Sequence, residues 1–245
     1  MCSNGAAQSL FAALGGAPQA GGAWAGPSPV VGGNYNPATM NPGAYVYTVN
    51  GVAPCANASA TITVTENAAT NAGTDGALTV CSNGAAQSLF AALGGAPQAG
   101  GAWAGPSPVA GGNYDPATMT PGAYIYTVNG VAPCANASAT ITVTENAATN
   151  AGTDGALTVC SNGAAQSLFA ALGGAPQAGG AWAGPSPVVG GNYDPATMTP
   201  GAYIYTVTGV APCANASATT VTGEDQRRPG PPHTGATCCG GPPAT

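Results

Sequence analysis

The words MCSNGAAQSLFAALGG open the chain, and VCSNGAAQSLFAALGG follows at 80–95 and again at 159–174, each copy 79 residues after the last. A fixed period of that length marks a tandem array, and it overrides the one or two domains that 245 residues alone suggest. Three units of one kind are therefore expected. Each is short for an independent core, because a small chain buries a smaller share of its surface, and a covalent staple is expected to compensate.

The cysteines fit that need. Cys2 and Cys55, Cys81 and Cys134, and Cys160 and Cys213 form three pairs, each 53 residues apart and one to a repeat. One disulfide within each repeat is the economical pairing, and a loop of that size contributes about 4 kcal/mol in the chain-entropy model. Metal ligation is the rival, and it is weak: the repeats hold no histidine and no paired CxxC. Disulfides persist in oxidising compartments, so an extracellular location is expected. No export signal follows Met1, which suggests a piece of a longer precursor.

Within one repeat the strand signals are clear. After the turn Pro121-Gly122, AYIYTV (123–128) alternates, with Tyr124, Tyr126 and Val128 on one face. ATITVTE (139–145) alternates likewise, and the two read as a hairpin whose loop carries Cys134. Asn129-Gly130 suits a tight turn, although the cysteine loop can extend it. GALTV (76–80) is a further short strand, either the first of one unit or the last of the unit before. AAQSLFAALGG (85–95) is ambiguous: Ala86, Leu89, Phe90 and Leu93 make a helical stripe, but the segment is short and its neighbours are strands, so strand is preferred. Trp24, Trp103 and Trp182 are expected as core plugs, with sugar stacking as the alternative. Tyr45, Tyr124 and Tyr203, each just after a turn at the start of a late strand, suit the tyrosine corner of Ig-like sandwiches. Together these features predict an all-β chain of three tandem Ig-like antiparallel β-sandwich repeats, each with one disulfide.

The stretch C-S-N-G…L-F-A-A-L-G-G-x-P-x-A-G-G-x-W-x-G-P, followed by P-G-x-Y-x-Y-T-V-x-G-x-x-P-C and A-x-A-T-I-T-V-T, resembles tandem Ig-like or PKD-like repeats of secreted surface proteins in Bacteroidota-type bacteria. The likeness covers residues 2–222, and NAGTDG at 71–76 and 150–155 is similar to the opening of PKD-like modules. It implies a cell-surface stalk, adhesin or fibre, and no catalyst.

Charge narrows the function further. Only 4% of residues are charged, and the two basic ones, Arg227 and Arg228, lie near the end. A nucleic-acid partner or an anionic membrane surface needs a basic patch, so neither is expected. No apolar run reaches the roughly 18 residues of a membrane-span candidate. Enzyme chemistry is not expected either: the repeats lack His, Lys and Arg, and Asn36 replaces the acids at Asp115 and Asp194. No cofactor is expected except calcium. Glu66, Asn71 and Asp75, with Glu145, Asn150 and Asp154, cluster at the junctions and are candidate calcium ligands. Two carboxylates per junction is a thin supply, which favours an ordinary polar linker. The triplet NAS at 57–59, 136–138 and 215–217 fits N-glycosylation, or simply a turn.

Boundaries follow the period: repeat 1 at 1–65, lacking its leading strand; repeat 2 at 66–144; repeat 3 at 145–222; and an irregular Pro/Gly-rich tail at 223–245. The tail reads as a flexible end or the product of a reading-frame shift, with His233, Cys238 and Cys239 as remote metal candidates. At the other end, Met1 stands where later copies have valine, by truncation or because unit 1 begins with an empty strand position. An open edge is a template for another chain, so copies of the protein joined head-to-tail by strand donation are the expected partner. An elongated adhesin stalk with a glycan or cell-surface target is the alternative, and a carbohydrate-binding repeat a further one.

Overall fold

The structure, a computed structural model, describes residues 1–225. Expectations for Arg227, Arg228, His233, Cys238 and Cys239 lie outside the described residues. By contact the chain forms two compact units. One comprises Met1–Leu78, Ser88–Tyr114 and Met119–Val143; the other comprises Thr79–Gln87, Asp115–Thr118 and, among the described residues, 144–225.

The chain is all-β, as its alternating segments predict. In the first repeat, β1 (Ala23–Ala25), β2 (Gly43–Val49) and β3 (Ala58–Val64) form a sheet in the order β1-β2-β3. In the second, β4 (Gly76–Cys81), β5 (Ala102–Ala104), β6 (Gly122–Val128) and β7 (Ala137–Asn146) take the order β4-β7-β6-β5. In the third, β8 (Gly155–Cys160), β9 (Ala181–Ala183), β10 (Ala202–Val207) and β11 (Ala216–Asp225) repeat it as β8-β11-β10-β9. The GALTVC strand therefore joins the sheet of the repeat that follows it. The last strand runs on through Gly223, Glu224 and Asp225.

Alternation decides which side chains make the core. Tyr124 and Tyr126 of β6 lie opposite Ile141 and Ala139 of β7, and all four are buried. Ile125, pointing the other way, is exposed. A two-stranded ribbon covers the buried face: Gln8–Ser9 pairs with Asn34–Tyr35, and Gln166–Ser167 with Asn192–Tyr193. The ribbon tyrosine meets the sheet tyrosine edge-on, with Tyr35 and Tyr45 ring centroids 5.6 Å apart. Sheet and ribbon thus enclose a sandwich-like core of Leu10, Tyr35, Tyr45 and Val64. The close approach needs glycine, since a Cβ on Gly105 would overlap the Tyr124 ring.

Three expectations are corrected. The AAQSLFAALGG segment is extended only at Gln-Ser and then turns helical: α1 spans Leu10–Ala13, and Phe90–Ala92 and Phe169–Ala171 are 3-10 turns. Ser9 caps α1 by accepting from the Ala12 amide at 3.1 Å, and the helical turn drives Leu10 into the core. The sheets are not wholly antiparallel, because β8 pairs with β11 in parallel, from Gly155 opposite Thr220 to Cys160 opposite Asp225.

The third correction concerns the disulfides. Cys2 bonds Cys134 and Cys81 bonds Cys213, each across 132 residues, so each of these two bonds ties one repeat to the next and neither lies within a repeat. The parallel pair explains why. It sets Cys160 at the far end of β11, whereas Cys213 precedes its first residue, Ala216. Ten extended residues keep two such cysteines roughly 30 Å apart, while 5.0 Å separates the Cα atoms of each pair that forms.

Candidate functional site

Two features set the first repeat apart. The first is β3, whose counterparts β7 and β11 are flanked on both sides while β3 pairs only with β2. Only the end of that missing place is filled. The Met1 amino group donates to Thr65 O at 2.7 Å, the Asn67 amide to Met1 O at 2.8 Å, and the Ser3 amide to Asn67 O at 2.9 Å. From Ile62 to Val64, where β11 pairs Thr220–Thr222 with Gly155–Leu157, β3 has no strand on that side. Burial records the difference: Ala139 and Ile141 of β7 are 2% and 0% exposed, whereas Ala60 is exposed and Ile62 half-buried. In the second repeat the Asp75 carboxylate also accepts from the Thr140 amide at 2.7 Å, and Asp154 accepts from Thr219 at 2.8 Å in the third. Thr61 is the corresponding residue of β3.

The second feature is the cysteine loop. Its local bonds are the same in all three repeats. The amides of Cys55, Cys134 and Cys213 each donate to the carbonyl three residues back at 2.9 Å. The side-chain oxygens of Asn57, Asn136 and Asn215 accept from Gly51, Gly130 and Gly209 at 2.9 Å. The asparagine of each NAS triplet is thus a turn-closing acceptor. Surroundings differ where local bonds do not. Asn67 donates to the carbonyls of Val131 and Ala132, and Thr70 to Ala135. Asn146 and Thr149 donate likewise to Ala211 and Ala214. With the disulfides, these contacts bury Cys134 and Cys213, while Cys55 is exposed and is the one free cysteine among the described residues.

The other predicted site residues have structural surroundings. Tyr45, Tyr124 and Tyr203 are buried and donate to the carbonyls of Asn41, Thr120 and Thr199, four residues back, at 2.6–2.7 Å. Trp24, Trp103 and Trp182 are half-buried rather than plugs, each 5.0 Å from a sheet tyrosine, Tyr47, Tyr126 or Tyr205. Of the candidate calcium ligands, Glu66 accepts from Tyr35 at 2.6 Å, and Asp75 and Asp154 hold the strand amides described above. Asn71 and Asn150 donate to the carbonyls of Gly95 and Ala96, and of Gly174 and Ala175. Glu145 also has a partner.

Sequence reading passed over the buried Tyr35, Tyr114 and Tyr193. Their signal was the repeated NYNPATM or NYDPATM, whose tyrosine opens a polar turn. Burial and a 2.6 Å hydrogen bond to Glu224 push Tyr193 up to about 12, and Tyr35 is raised further by burial and its bond to Glu66. Among the described residues no helix is long and apolar enough to cross a membrane. Disulfides of this kind indicate an oxidising environment. Compared with known proteins, the chain matches no family model and no curated protein.

Proposed function

We propose that this chain is a non-catalytic structural repeat protein of an extracellular bacterial fibre, assembled head-to-tail by strand addition at β3. One observation carries the reading: β3 has the side chains of a covered strand and no cover. Its counterparts take a Gly-Ala-Leu-Thr-Val-Cys strand at that edge; Met1 and Cys2 fill the Val-Cys end here, and the Gly-Ala-Leu-Thr part of such a strand from another copy has the pattern that matches the remainder. Addition there is heterologous and does not close on itself, so it extends.

Electron microscopy of the purified, oxidised chain tests this. Filaments are expected, and excess synthetic peptide TDGALTV should shorten them by occupying β3. Thr61→Pro removes the amide whose counterpart Thr140 bonds the covering segment, and should abolish growth while the sheet still forms. Monomers at every concentration, or growth indifferent to both treatments, refute strand addition. The ties between successive repeats, Cys2–Cys134 with the Asn67 and Thr70 bonds, favour a second reading, a monomeric adhesin stalk. Single unassembled particles in the same micrographs select it.

A further inference from the structure

We propose that a groove in the first repeat, lined by the loop 28–31 and the turn 34–40, binds a neutral saccharide. The inference stands apart from strand addition and holds for a fibre or a stalk alike. The groove has a volume of about 370 Å³, which lies within the range of small-ligand clefts. Pro29 and Val31 give it an apolar wall, and Val31 is 84% exposed. Its polar lining is uncharged. Ser28 Oγ accepts from the Asn41 amide at 2.9 Å, so its own hydrogen is left to donate. Asn36 Oδ1 accepts from the Ala38 amide at 3.0 Å, which orients the side chain and leaves its two N–H groups. Asn34 and Thr39 add an exposed amide and an exposed hydroxyl.

Comparison of the repeats singles out this groove. Residues 2–65 differ from 81–144 only at Val31, Asn36, Asn41 and Val46, which stand in place of Ala110, Asp115, Thr120 and Ile125. Val31 and Asn36 both line the groove. The third repeat keeps the valine, as Val189, but has Asp194. The exchange at 36 alters the hydrogen bonding. Asp115 Oδ2 accepts from the Thr118 hydroxyl at 3.0 Å, and Asp194 Oδ2 accepts from the Thr197 hydroxyl at 3.0 Å. In the first repeat an amide stands in that place and the Thr39 hydroxyl is released. A closed carboxylate–hydroxyl pair has become two N–H donors and a free O–H.

The ligand class follows from this lining. Residues 1–65 contain no Asp, Glu, Lys, Arg or His. A charged ligand would give up its water there without meeting a counter-charge. A sugar has hydroxyls that both donate and accept, which suit the amides and hydroxyls of the groove, and a C–H face to lie on Pro29 and Val31.

Titration of the oxidised, nitrogen-15-labelled full-length chain with oligomers of glucose, mannose, galactose and N-acetylglucosamine, read from the side-chain amide signals, tests this. Saturable shifts at Asn34 and Asn36 are expected with at least one oligomer, at a single site in the chain. Asn34→Ala should weaken that binding about tenfold, the loss of roughly one hydrogen bond. Asn36→Asp should do the same by restoring the pair of the later repeats. It keeps the Oδ1 bond of the turn, as Asp115 does at 3.0 Å, so melting should be unchanged. Asp194→Asn should open a second site in the third repeat. No saturable shift with any oligomer overturns the proposal. Shifts gathered on the indoles of Trp24, Trp103 and Trp182, or binding equal in all three repeats, overturn it too. Filament growth should be indifferent to these variants, so a failure here leaves strand addition untouched.

Discussion

Thr220 and Thr222 are buried where the second repeat has Ile141 and Val143, while Val221 is exposed where that repeat has Thr142. The strand keeps its register and accepts hydroxyls in the core, bonded at 3.2 Å to Leu168 O and 3.1 Å to Gly201 O. Satisfied hydroxyls are tolerated, yet they forgo apolar burial. Thr220→Ile is therefore expected to stabilise the third repeat by about 1–2 kcal/mol, read from the denaturation midpoint. Tyr193 predicts a pH dependence. Its proton is held more tightly in the fold than in the unfolded chain, so its contribution is complete below about pH 10 and lost as pH rises toward 12. Glu224→Gln removes the charge and leaves a neutral amide oxygen as acceptor, and should bring the tyrosinate absorbance transition to lower pH. An unchanged transition would show that burial alone sets it.

At the scale of elements, the tyrosine strands were legible because a period of two survives in six residues. AYIYTV shows its core face at Tyr124, Tyr126 and Val128 without help from the rest of the chain, and the fold confirms it. The tyrosine corner was legible for the same local reason. LFAA was not, because four residues are too few to display a helical period, and the Ser9 cap looks the same before a strand. The disulfide pairing was not legible either. Spacings of 53 and of 132 residues are equally exact in a tandem array, and only the parallel placement of the GALTVC strand, set by a crossover spanning the repeat, chooses between them. The open edge and the free thiol followed from that choice; the sequence offered the first as one of two readings of Met1 and missed the second. Packing at this scale has a direct check. Gly105→Ala drives a methyl into the Tyr124 ring and should cost about 2 kcal/mol, whereas Gly100→Ala meets no atom and tests backbone strain alone.

Across the molecule, the bonds act on the array and not on single repeats. Each closes a loop of 132 residues, for which chain entropy gives about 4–5 kcal/mol. Reduction removes both and should lower Tm by roughly 20–40 °C for a chain of this size, and Cys134→Ser should give part of that loss. If Cys134→Ser melts like the parent while reduction still acts, the weight lies with Cys81–Cys213.

The two loops also overlap, because Cys81 precedes Cys134. A chain drawn out between Cys2 and Cys213 therefore passes through one sulfur bridge, back along the 53 residues from Cys134 to Cys81, and out through the other. At about 3.4 Å per residue, pulling those anchors apart should yield a tether of roughly 180 Å, and reduction should lengthen it about fourfold, a step that force spectroscopy resolves. The offset pairing makes the oxidised protein a short leash, whose slack is withheld until the sulfur bridges are cut.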